Sequence, residues 1–405
     1  MKILQVNTQV NSGSTGRIAE DIGRTFMAYG HESYIVFGRG RRPSASKLIR
    51  VGNDLDVYMH GVKTMLTDRH AFGSANATRK LIATIEEIQP DVIAMHNIHG
   101  YFLNIEIFFS YLSKKEIPLI WTLHDCWSFT GHCTYFDDID CKKWKTGCHS
   151  CPKLRKYPAS YLADASKANY WDKKSLFNSV KKLEIVVPSA WLRDLVNQSF
   201  LSQWPVHIIP YGVDIDIFRP LETQLKSRLG LEGKKVVLGC ASIWDKRKGL
   251  EDVIALKSLL PEEYAVIAVG LTEKQLKALP PGILGITRTD SVQELTEYYN
   301  MADVFVNPTY QDNFPTTNLE SLACGTPVVT YETGGSPEAV DLQTGKVVPK
   351  GDIHAMVEAI KSITSSAEKK FSGACRERAL QCYNMKTQFD KYVRIGEQLA
   401  SSRFM

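Results

Sequence analysis

The sequence lacks any hydrophobic run long enough to cross a membrane, which takes about 20 apolar residues. It also lacks the pattern of a secretory signal. Met1 and Lys2 lead directly into the segment Ile3–Asn7, which is far shorter than the apolar region that such a signal needs. These absences argue against a membrane-spanning protein and predict a cytoplasmic location.

A strong net charge is missing as well. The 405 residues carry 49 Lys and Arg against 44 Asp and Glu, and a net charge of +5 is too small to indicate a nucleic-acid-binding protein. The chain shows no internal repeat and no low-complexity linker. Its length is too great for one ordinary domain, so we expect two domains.

Positive charge is nevertheless concentrated in residues 142–182, which contain eleven Lys or Arg and two Asp. Aromatic residues are interleaved with these cations: Tyr157, Tyr161, Tyr170, Trp171 and Phe177. Cations favour anionic headgroups, and aromatic rings favour the membrane interface. The stretch therefore predicts a peripheral position on the inner face of the cell membrane, with a solvated basic face as the alternative.

Cysteines are scattered except in one window, residues 126–151, which holds five of the nine. These five are Cys126, Cys133, Cys141, Cys148 and Cys151. Closely spaced thiolates favour zinc, so a structural zinc is one interpretation of this Cys-rich insert and unligated thiols are the other. A disulfide is disfavoured in a reducing compartment. A zinc-dependent nucleic-acid-binding protein is the corresponding functional alternative, although it does not explain the motifs in the second half of the chain.

Strand and helix patterns alternate along the whole chain. Strand segments such as KILQVN and KKVVLGCAS are continuously apolar, as expected for parallel strands buried on both faces. Two successive series of this kind predict an α/β protein with two Rossmann-like, doubly wound domains that face each other across a cleft. We place the first domain at residues 1–204, the second at 205–385, and at 386–405 a C-terminal helix that packs back on the first domain.

One segment of the second series, QDNFPTTNLE at residues 311–320, contains two acids eight positions apart. It follows a predicted strand and runs into a short predicted helix, so Asp312 lies on the loop and Glu320 about one turn into the helix. Open α/β sheets bind ligands at the carboxyl ends of their strands, where both acids can face the same crevice. An ordinary loop acid and a solvated helix acid are the alternative.

Three further loops have the composition of anion-binding sites. Gly16 lies in the loop NSGSTGR, which leads from a strand to a helix N-terminus, where backbone N–H groups favour anions. Lys246, Arg247 and Lys248 follow another strand, and three cations there can neutralise a diphosphate. A Gly-rich loop at residues 333–340 opens a further helix. Tight turns and a solvated basic turn are the ligand-free alternatives.

Together these segments resemble the retaining glycosyltransferases of family four, which have the GT-B fold. The stretch QDNFPTTNLESLACGTPVV is similar to the family's signature of two acids separated by seven residues, which usually begins with Glu-Gly where this chain has Asp312 and Asn313. GHESYIVF, VHIIPYGVDIDIFRP, ADVFVNP, GGSPEAV and TGKVVPKGD also match, in this order along nearly the whole chain. HNIHGYFLN and LHDCWSFTGHC are most similar to enzymes that assemble bacterial capsular, colanic-acid-like or lipopolysaccharide sugars.

The resemblance implies a role for each candidate residue. Asp312 would meet hydroxyls of the donor sugar, and Glu320 would accept hydrogen bonds from the ribose of the nucleotide. Lys248 matches the lysine that binds the diphosphate, and Arg247 would supply a second cation because the family's usual arginine is Ile243 here. His124 matches the family's histidine near the anomeric centre, and Gly16 matches the glycine beside the diphosphate. The family's loop that binds the sugar and phosphate corresponds to Asn313, Phe314, Pro315 and Thr316.

The resemblance also implies an activity. A hexosyltransferase of this kind moves a sugar, with retention, from a UDP- or GDP-sugar to a glycan or lipid-diphosphate-linked glycan acceptor in bacterial surface polysaccharide biosynthesis. Such chemistry requires no metal, since fixed cations and helix N-termini stabilise the leaving diphosphate. A nucleotide-sugar 2-epimerase of the same fold is an alternative, as is a glycogen-phosphorylase-like enzyme, which would need a pyridoxal lysine.

Overall fold

The computed structural model describes residues 1–365 and 370–401. The chain forms two compact units: Met1–Ile209 together with the last helix from Phe389 onward, and Pro210–Gln388. Each unit contains one parallel β-sheet whose strands are connected by helices. The predicted α/β class with two parallel-sheet domains is confirmed.

The first unit has a seven-stranded sheet with the strand order β3-β2-β1-β4-β5-β6-β7. Its strands are β1 (Lys2–Asn7), β2 (Glu32–Phe37), β3 (Lys47–Arg50), β4 (Val92–Met95), β5 (Leu119–Thr122), β6 (Leu183–Val187) and β7 (Val206–Ile208). Its helices are α1 (Gly13–Ala28), α2 (Asp54–Thr67), α3 (Ala75–Ile88), α4 (Ile105–Leu112), α5 (Ser166–Phe177) and α6 (Ala190–Asn197). The central strands β1, β4 and β5 are almost wholly buried, which explains their continuous apolar sequences.

The second unit has a six-stranded sheet with the order β10-β9-β8-β11-β12-β13. Its strands are β8 (Lys235–Cys240), β9 (Tyr264–Val269), β10 (Ile283–Ile286), β11 (Val304–Asn307), β12 (Val328–Tyr331) and β13 (Gly345–Val348). The helices of this part of the chain are α7 (Leu225–Arg228), α8 (Leu250–Leu259), α9 (Glu273–Lys277), α10 (Val292–Met301), α11 (Thr316–Ala323), α12 (Ile353–Ser365), α13 (Lys370–Cys382) and α14 (Met385–Ser401). Since β8 and β11 are neighbours in this sheet, the loops that follow them lie side by side.

Three boundaries differ from the sequence-based expectation. β7, which the expected boundary after residue 204 places in the second domain, pairs with β6 through Ile185 and Val206 and is the last strand of the first sheet. Gly16 lies within the first turn of α1 rather than in the preceding loop. The last helix begins at Met385, and its side chains contact the first unit: the hydroxyl oxygens of Thr122 and Tyr392 are 3.3 Å apart.

Within the described residues, no helix combines the length and the apolar character needed to cross a bilayer.

Candidate active site

The cationic loop after β8 is held tightly against the loop after β11. Asp245 begins a short 3-10 turn at Lys246–Lys248, and its Oδ1 accepts a hydrogen bond from the backbone N–H of Lys248 at 3.1 Å. Gly249 follows with φ +71°, and a Cβ atom there would lie 2.2 Å from the carbonyl oxygen of Pro308. Only glycine combines this left-handed conformation with such a close approach.

An ion pair at Asp312 joins the two loops. The Nζ of Lys248 donates to Oδ2 of Asp312, and both side chains are largely buried. The Nη1 of Arg247 donates to the carbonyl oxygen of Gln311 at 2.7 Å and lies 3.9 Å from Oδ2 of Asp312. Two predicted cations and one predicted acid thus form one cluster, whereas Ile243, where the family usually has arginine, is exposed.

The three residues after Asp312 anchor the loop in the interior of the unit. Asn313, Phe314 and Pro315 are buried. The ring of Phe314 packs edge-on to Tyr211 and near Tyr383, with centroids 6.1 and 6.0 Å apart. Burial of these three side chains anchors the loop in the unit. Pro315 precedes α11, and Thr316 is its first residue.

The Gly-rich loop after β12 packs directly against the loop that carries Asp312. The backbone N–H of Gly335 donates to the carbonyl oxygen of Asn313 at 3.0 Å. Gly334 has φ +55°, and a Cβ atom there would lie 1.8 Å from the carbonyl oxygen of Asp312. The position of Asp312 therefore depends on a residue without a side chain at 334.

A buried polar network joins these loops, and sequence reasoning did not identify it. Asn307 donates through Nδ2 to Oδ1 of Asn318 at 2.8 Å, which ties the end of β11 to α11. The hydroxyl groups of Thr330 and Ser336 are 2.9 Å apart, which ties the end of β12 to the Gly-rich loop. Satisfied buried networks of this kind make a site rigid.

Two tyrosines and one acid brace the cationic loop. The hydroxyl groups of Tyr310 and Tyr331 each donate to Oδ2 of Asp252, both at 2.8 Å. The backbone N–H of Tyr310 donates to the carbonyl oxygen of Arg247 at 2.7 Å. Burial, reinforced by Asp252, raises the pKa of Tyr310 to about 12, so its phenol remains a donor at neutral pH.

Glu320 is oriented by Tyr299. The hydroxyl group of Tyr299 donates to Oε2 of Glu320 at 2.9 Å. Burial raises the pKa of Tyr299 well above its usual value, and the neighbouring carboxylate of Glu320 adds to this effect. The phenol is therefore protonated and acts as a permanent donor, which fixes one side of the carboxylate.

The first unit contains the other two predicted residues, Gly16 and His124. At Gly16, a Cβ atom would lie 3.3 Å from both the backbone nitrogen of Asn11 and the carbonyl oxygen of Gln9, so the chain is closely packed there. Ser12 is the N-cap residue of α1, but its side chain makes no capping hydrogen bond. The backbone N–H groups of this first turn are of the kind that binds anions.

His124 follows β5 and is buried, with its Nε2 atom 3.3 Å from Nδ1 of His96. Burial is the main effect that lowers the pKa of His124 to about 3, so the imidazole is neutral at physiological pH. It cannot serve as a cation towards a diphosphate. It can donate or accept a hydrogen bond.

A second polar group in the first unit was missed by sequence reasoning. His99 follows β4, and its Nε2 atom lies 3.0 Å from Oδ2 of Asp125, while its Nδ1 atom lies 3.2 Å from the hydroxyl group of Tyr157. Burial acts to raise the pKa of Asp125, but His99 and the backbone N–H of Trp127 outweigh it, so that the pKa lies below its usual value. His99 and Asp125 lie in the matching segments HNIHGYFLN and LHDCWSFTGHC, but only the strand order shows that the two residues meet.

A structural zinc is one of the two interpretations of the cysteine window, and the structure does not support it. Among residues 1–365 and 370–401, no three Cys, His, Asp or Glu side chains are grouped so that they could hold a metal ion. Cys126 lies in the hydrophobic core. A hydrogen bond between Cys133 and Cys151 raises the pKa of the first thiol and lowers that of the second to about 7.

The other members of the window also have non-metal environments. Cys141 and Cys148 pack against the hydrophobic core, and burial raises the pKa of Cys148 to about 11. The neighbouring His132 bonds to Asp68 and to the carbonyl oxygen of Lys156 instead.

Comparisons with known proteins agree with this picture. A sequence profile described as "Glycosyltransferase Family 4" matches residues 15–217, and one described as "Glycosyl transferases group 1" matches residues 234–366. The colanic acid biosynthesis glycosyl transferase described as WcaC, from Escherichia coli (strain K12), is 24% identical over 419 residues, which cover 98% of this chain and 100% of that protein.

Solved structures show the same fold. Sucrose-phosphate synthase from Thermosynechococcus elongatus superposes with a TM-score of 0.74 at 16% identity and covers 99% of both chains. HepE from Anabaena, solved in complex with UDP, has a TM-score of 0.69 at 16% identity and covers 99% of this chain and 100% of its own. The two parallel-sheet units are those of the GT-B fold, and the chain belongs to the group 1, family 4 glycosyltransferases.

Proposed function

We propose that this protein is a retaining glycosyltransferase that moves a sugar from a nucleoside-diphosphate sugar to a glycan or lipid-linked glycan acceptor in surface polysaccharide biosynthesis. The observation that carries the proposal is the cluster of Arg247, Lys248 and Asp312 at the ends of two adjacent strands. HepE has been solved with UDP, and WcaC is described as a colanic acid biosynthesis enzyme, which supports this donor and acceptor chemistry.

The ion pair at Asp312 suggests how a donor is taken up. Lys248 neutralises Asp312, so neither charge is left buried alone. A diphosphate carries more negative charge than one carboxylate and would draw the Nζ of Lys248 and the guanidinium of Arg247. Asp312 would then accept hydrogen bonds from hydroxyl groups of the donor sugar.

Sugar transfer builds negative charge on the leaving diphosphate and positive charge on the sugar ring. Arg247, Lys248 and backbone N–H groups at helix N-termini would stabilise the first of these charges. Retention would follow if the acceptor hydroxyl attacks from the face that the diphosphate leaves and gives its proton to a departing phosphate oxygen. In this mechanism Asp312 positions the sugar and forms no covalent bond.

Replacing Glu320 by Ala should weaken binding of UDP or GDP. The proposed hydrogen bonds from ribose hydroxyls to a carboxylate are worth about 1.5–3 kcal/mol, so we expect a loss of about 10- to 100-fold in Kd. Isothermal titration calorimetry measures this directly. The change also leaves the buried hydroxyl of Tyr299 without its acceptor, so Tyr299→Phe is the matched control.

Tyr299→Phe removes the phenolic donor but keeps the carboxylate. It should retain most of the nucleotide affinity, and Glu320→Gln should lie between wild type and Glu320→Ala because it keeps one acceptor oxygen. Wild-type affinity in Glu320→Ala would contradict the assignment of Glu320 to the ribose. A loss of affinity in Tyr299→Phe and Glu320→Gln as large as that in Glu320→Ala would contradict it too.

We further propose that the first unit docks on an anionic membrane surface. The basic stretch supports this less fully than its sequence indicated, because Lys173 is completely buried and several lysines are held by acids. Pairs of this kind are Lys142–Asp140, Lys153–Asp138 and Lys181–Glu116. Exposed cations without such a pair in the described residues include Arg155, Lys156, Lys167 and Lys174.

Helix α2 supports membrane docking more strongly than the basic stretch does, because it carries a solvent-exposed apolar stripe. Leu55, Tyr58, Met59, Met65 and Leu66 are 66, 66, 55, 40 and 47% exposed, respectively. Their spacing places them along one side of the helix. The backbone N–H of Tyr161 donates to the carbonyl oxygen of Met65 at 2.8 Å, so the exposed Tyr161 and Leu162 extend the stripe towards the basic stretch. Large exposed apolar patches mark interaction sites.

Flotation with vesicles tests this surface. The wild-type protein should float with vesicles that contain phosphatidylglycerol and not with neutral phosphatidylcholine vesicles, because each basic residue near an anionic surface contributes about 1 kcal/mol. The triple variant Leu55→Ser, Tyr58→Ser, Met59→Ser should lose flotation. Leu342→Ser, which removes a side chain 94% exposed in the second unit, should not. Equal recovery on both vesicles, or on neither, would contradict membrane docking.

A further inference from the structure

The loop after β2 carries three arginines, Arg39, Arg41 and Arg42. It is fixed against the loop after β1, because the backbone N–H groups of Gly38 and Arg39 donate to the carbonyl oxygen of Thr8 at 3.2 and 3.1 Å. Arg41 and Arg42 are exposed, whereas Arg39 is half-buried. The carboxyl ends of parallel strands form the edge at which α/β domains bind ligands, and these cations lie at that edge.

Arg39 has no counter-ion within the described residues. Its Nε atom is buried there without a hydrogen-bond partner, and none of the ion pairs of residues 1–365 and 370–401 includes its guanidinium group. A cation in a half-buried position is normally paired, since the loss of water without a partner is costly. The unpaired Arg39 therefore indicates an anionic ligand.

The guanidinium group of Arg39 lies over the ring of Tyr101, with its Cζ atom 5.6 Å from the ring centroid. Tyr101 has φ +69°, a left-handed conformation that is costly for a bulky residue and that is found mainly at functional sites. Gly38 allows the two loops to touch, because a Cβ atom there would lie 2.2 Å from Cβ of Phe102. Burial raises the pKa of Tyr101, although the charge of Arg39 acts against it, so the phenol stays protonated and can donate a hydrogen bond.

This pair lies beside the apolar stripe of helix α2. The ring centroids of Tyr101 and Tyr157 are 6.1 Å apart, and Tyr157 and Tyr161 are 41 and 52% exposed. Tyr161 adds to the raised pKa of Tyr101, so the two phenols are near each other, and its backbone N–H bonds to Met65 of the stripe. An anion bound at Arg39 would thus lie next to the surface that we propose docks on a membrane.

We propose that Arg39 and Tyr101 bind a phosphate group of the acceptor, and that the acceptor is a glycan carried on a lipid diphosphate. The guanidinium fork matches two phosphate oxygens, and the phenol can donate to a third. A lipid-linked diphosphate is presented at the membrane surface, where the apolar stripe would place this site. The inference rests on the proposed function, because it names the acceptor of that reaction.

Binding of farnesyl diphosphate tests the site without any transfer reaction. Calorimetry is performed on protein saturated with UDP, so that the nucleotide site of the second unit cannot take the probe. The wild-type protein should bind farnesyl diphosphate saturably, and it should not measurably bind farnesol, which lacks the diphosphate. Arg39→Gln should weaken the binding of farnesyl diphosphate by about 10- to 100-fold, since hydrogen bonds from a charged group are lost.

Arg79→Gln is the matched control, because it removes an exposed arginine of α3 with the same change of charge. It should bind farnesyl diphosphate like the wild type. Arg39→Lys should lie between the wild type and Arg39→Gln, because lysine keeps the charge but not the planar fork. Equal affinities of Arg39→Gln and Arg79→Gln, or no binding of farnesyl diphosphate by the wild type, would overturn the proposal.

Two further measurements separate the diphosphate of the acceptor from other phosphates. Arg39→Gln should keep the wild-type Kd for UDP and should still float with vesicles that contain phosphatidylglycerol. A weaker affinity for UDP would assign Arg39 to the donor, and a loss of flotation would assign it to the headgroups of the membrane. Either result would overturn the proposal.

The transfer reaction provides a separate readout. With a lipid-diphosphate-linked glycan as acceptor, Arg39→Gln should raise KM for the acceptor by about 10- to 100-fold and leave kcat unchanged, because the contact binds ground state and transition state alike. A wild-type KM for the acceptor in this variant would overturn the site alone. No transfer by the wild type, together with binding of farnesyl diphosphate that depends on Arg39, would contradict the proposed function and leave the site in place.

Discussion

Replacing Asp312 by Ala is expected to lower kcat for sugar transfer by about 100- to 1,000-fold, the usual loss when one preorganised polar group is removed from a reacting centre. Affinity for UDP or GDP should be unchanged or higher. The reason is the ion pair between Lys248 and Asp312, which competes with the diphosphate for the same ammonium group. Removal of the carboxylate releases Lys248 while the sugar loses the group that orients it.

Steady-state kinetics and calorimetry on the same preparation separate these two effects. The control is Glu358→Gln, which neutralises an acid of the second unit whose side chain is 72% exposed. It should change neither parameter. A large loss of nucleotide affinity in Asp312→Ala, or turnover near that of wild type, would contradict the role of Asp312 in holding the sugar.

Replacing Gly334 by Ala should lower both the stability and kcat by more than the addition of one methyl group usually does. The residue has φ +55°, which costs an L-residue about 1–2 kcal/mol, and the added Cβ would lie 1.8 Å from the carbonyl oxygen of Asp312. The loop that carries Asp312 must then move. We expect the free energy of unfolding to fall by at least about 2 kcal/mol and kcat to fall by about 100-fold, since small misplacements of a reacting group have such effects.

Gly230→Ala separates conformational strain from displacement of Asp312. Gly230 has φ +66°, but no other atom lies within 4 Å of the position of its Cβ. Its replacement should cost about 1–2 kcal/mol of stability and leave kcat unchanged. Urea denaturation and kinetics on both variants decide the matter. Equal behaviour of the two would show that Asp312 does not depend on the Gly-rich loop.

Local patterns in the sequence predicted much of this fold. The continuous apolar strands predicted a parallel α/β protein because parallel strands are buried on both faces, and the two sheets confirm it. The assignment of β7 was wrong because an apolar strand does not reveal which sheet it joins. The pairing of β7 with β6 decides that, and it includes a hydrogen bond from the backbone N–H of Ile185 to the carbonyl oxygen of Pro205 at 2.9 Å.

Only part of the candidate site could be predicted, because the sequence does not reveal which strands are neighbours. Lys248 and Asp312 were found because each lies in a recognisable motif that follows a strand. These motifs are the run of three cations and the pair of acids. The contacts of His99 with Asp125 and of Gln5 with His96 join different strands, and only the strand order brings them together. The spacing of the cysteines did not reveal that Cys126 is buried in the hydrophobic core.

Titration of UDP and GDP into the wild-type protein in the presence of EDTA tests whether this site binds a nucleoside diphosphate without a metal. We assign the diphosphate to Arg247, Lys248 and backbone N–H groups and the ribose to Glu320, with no requirement for a metal. We expect saturable heat with at least one of the two nucleotides and a matching rise in melting temperature. No heat and no thermal shift with either nucleotide would contradict this assignment.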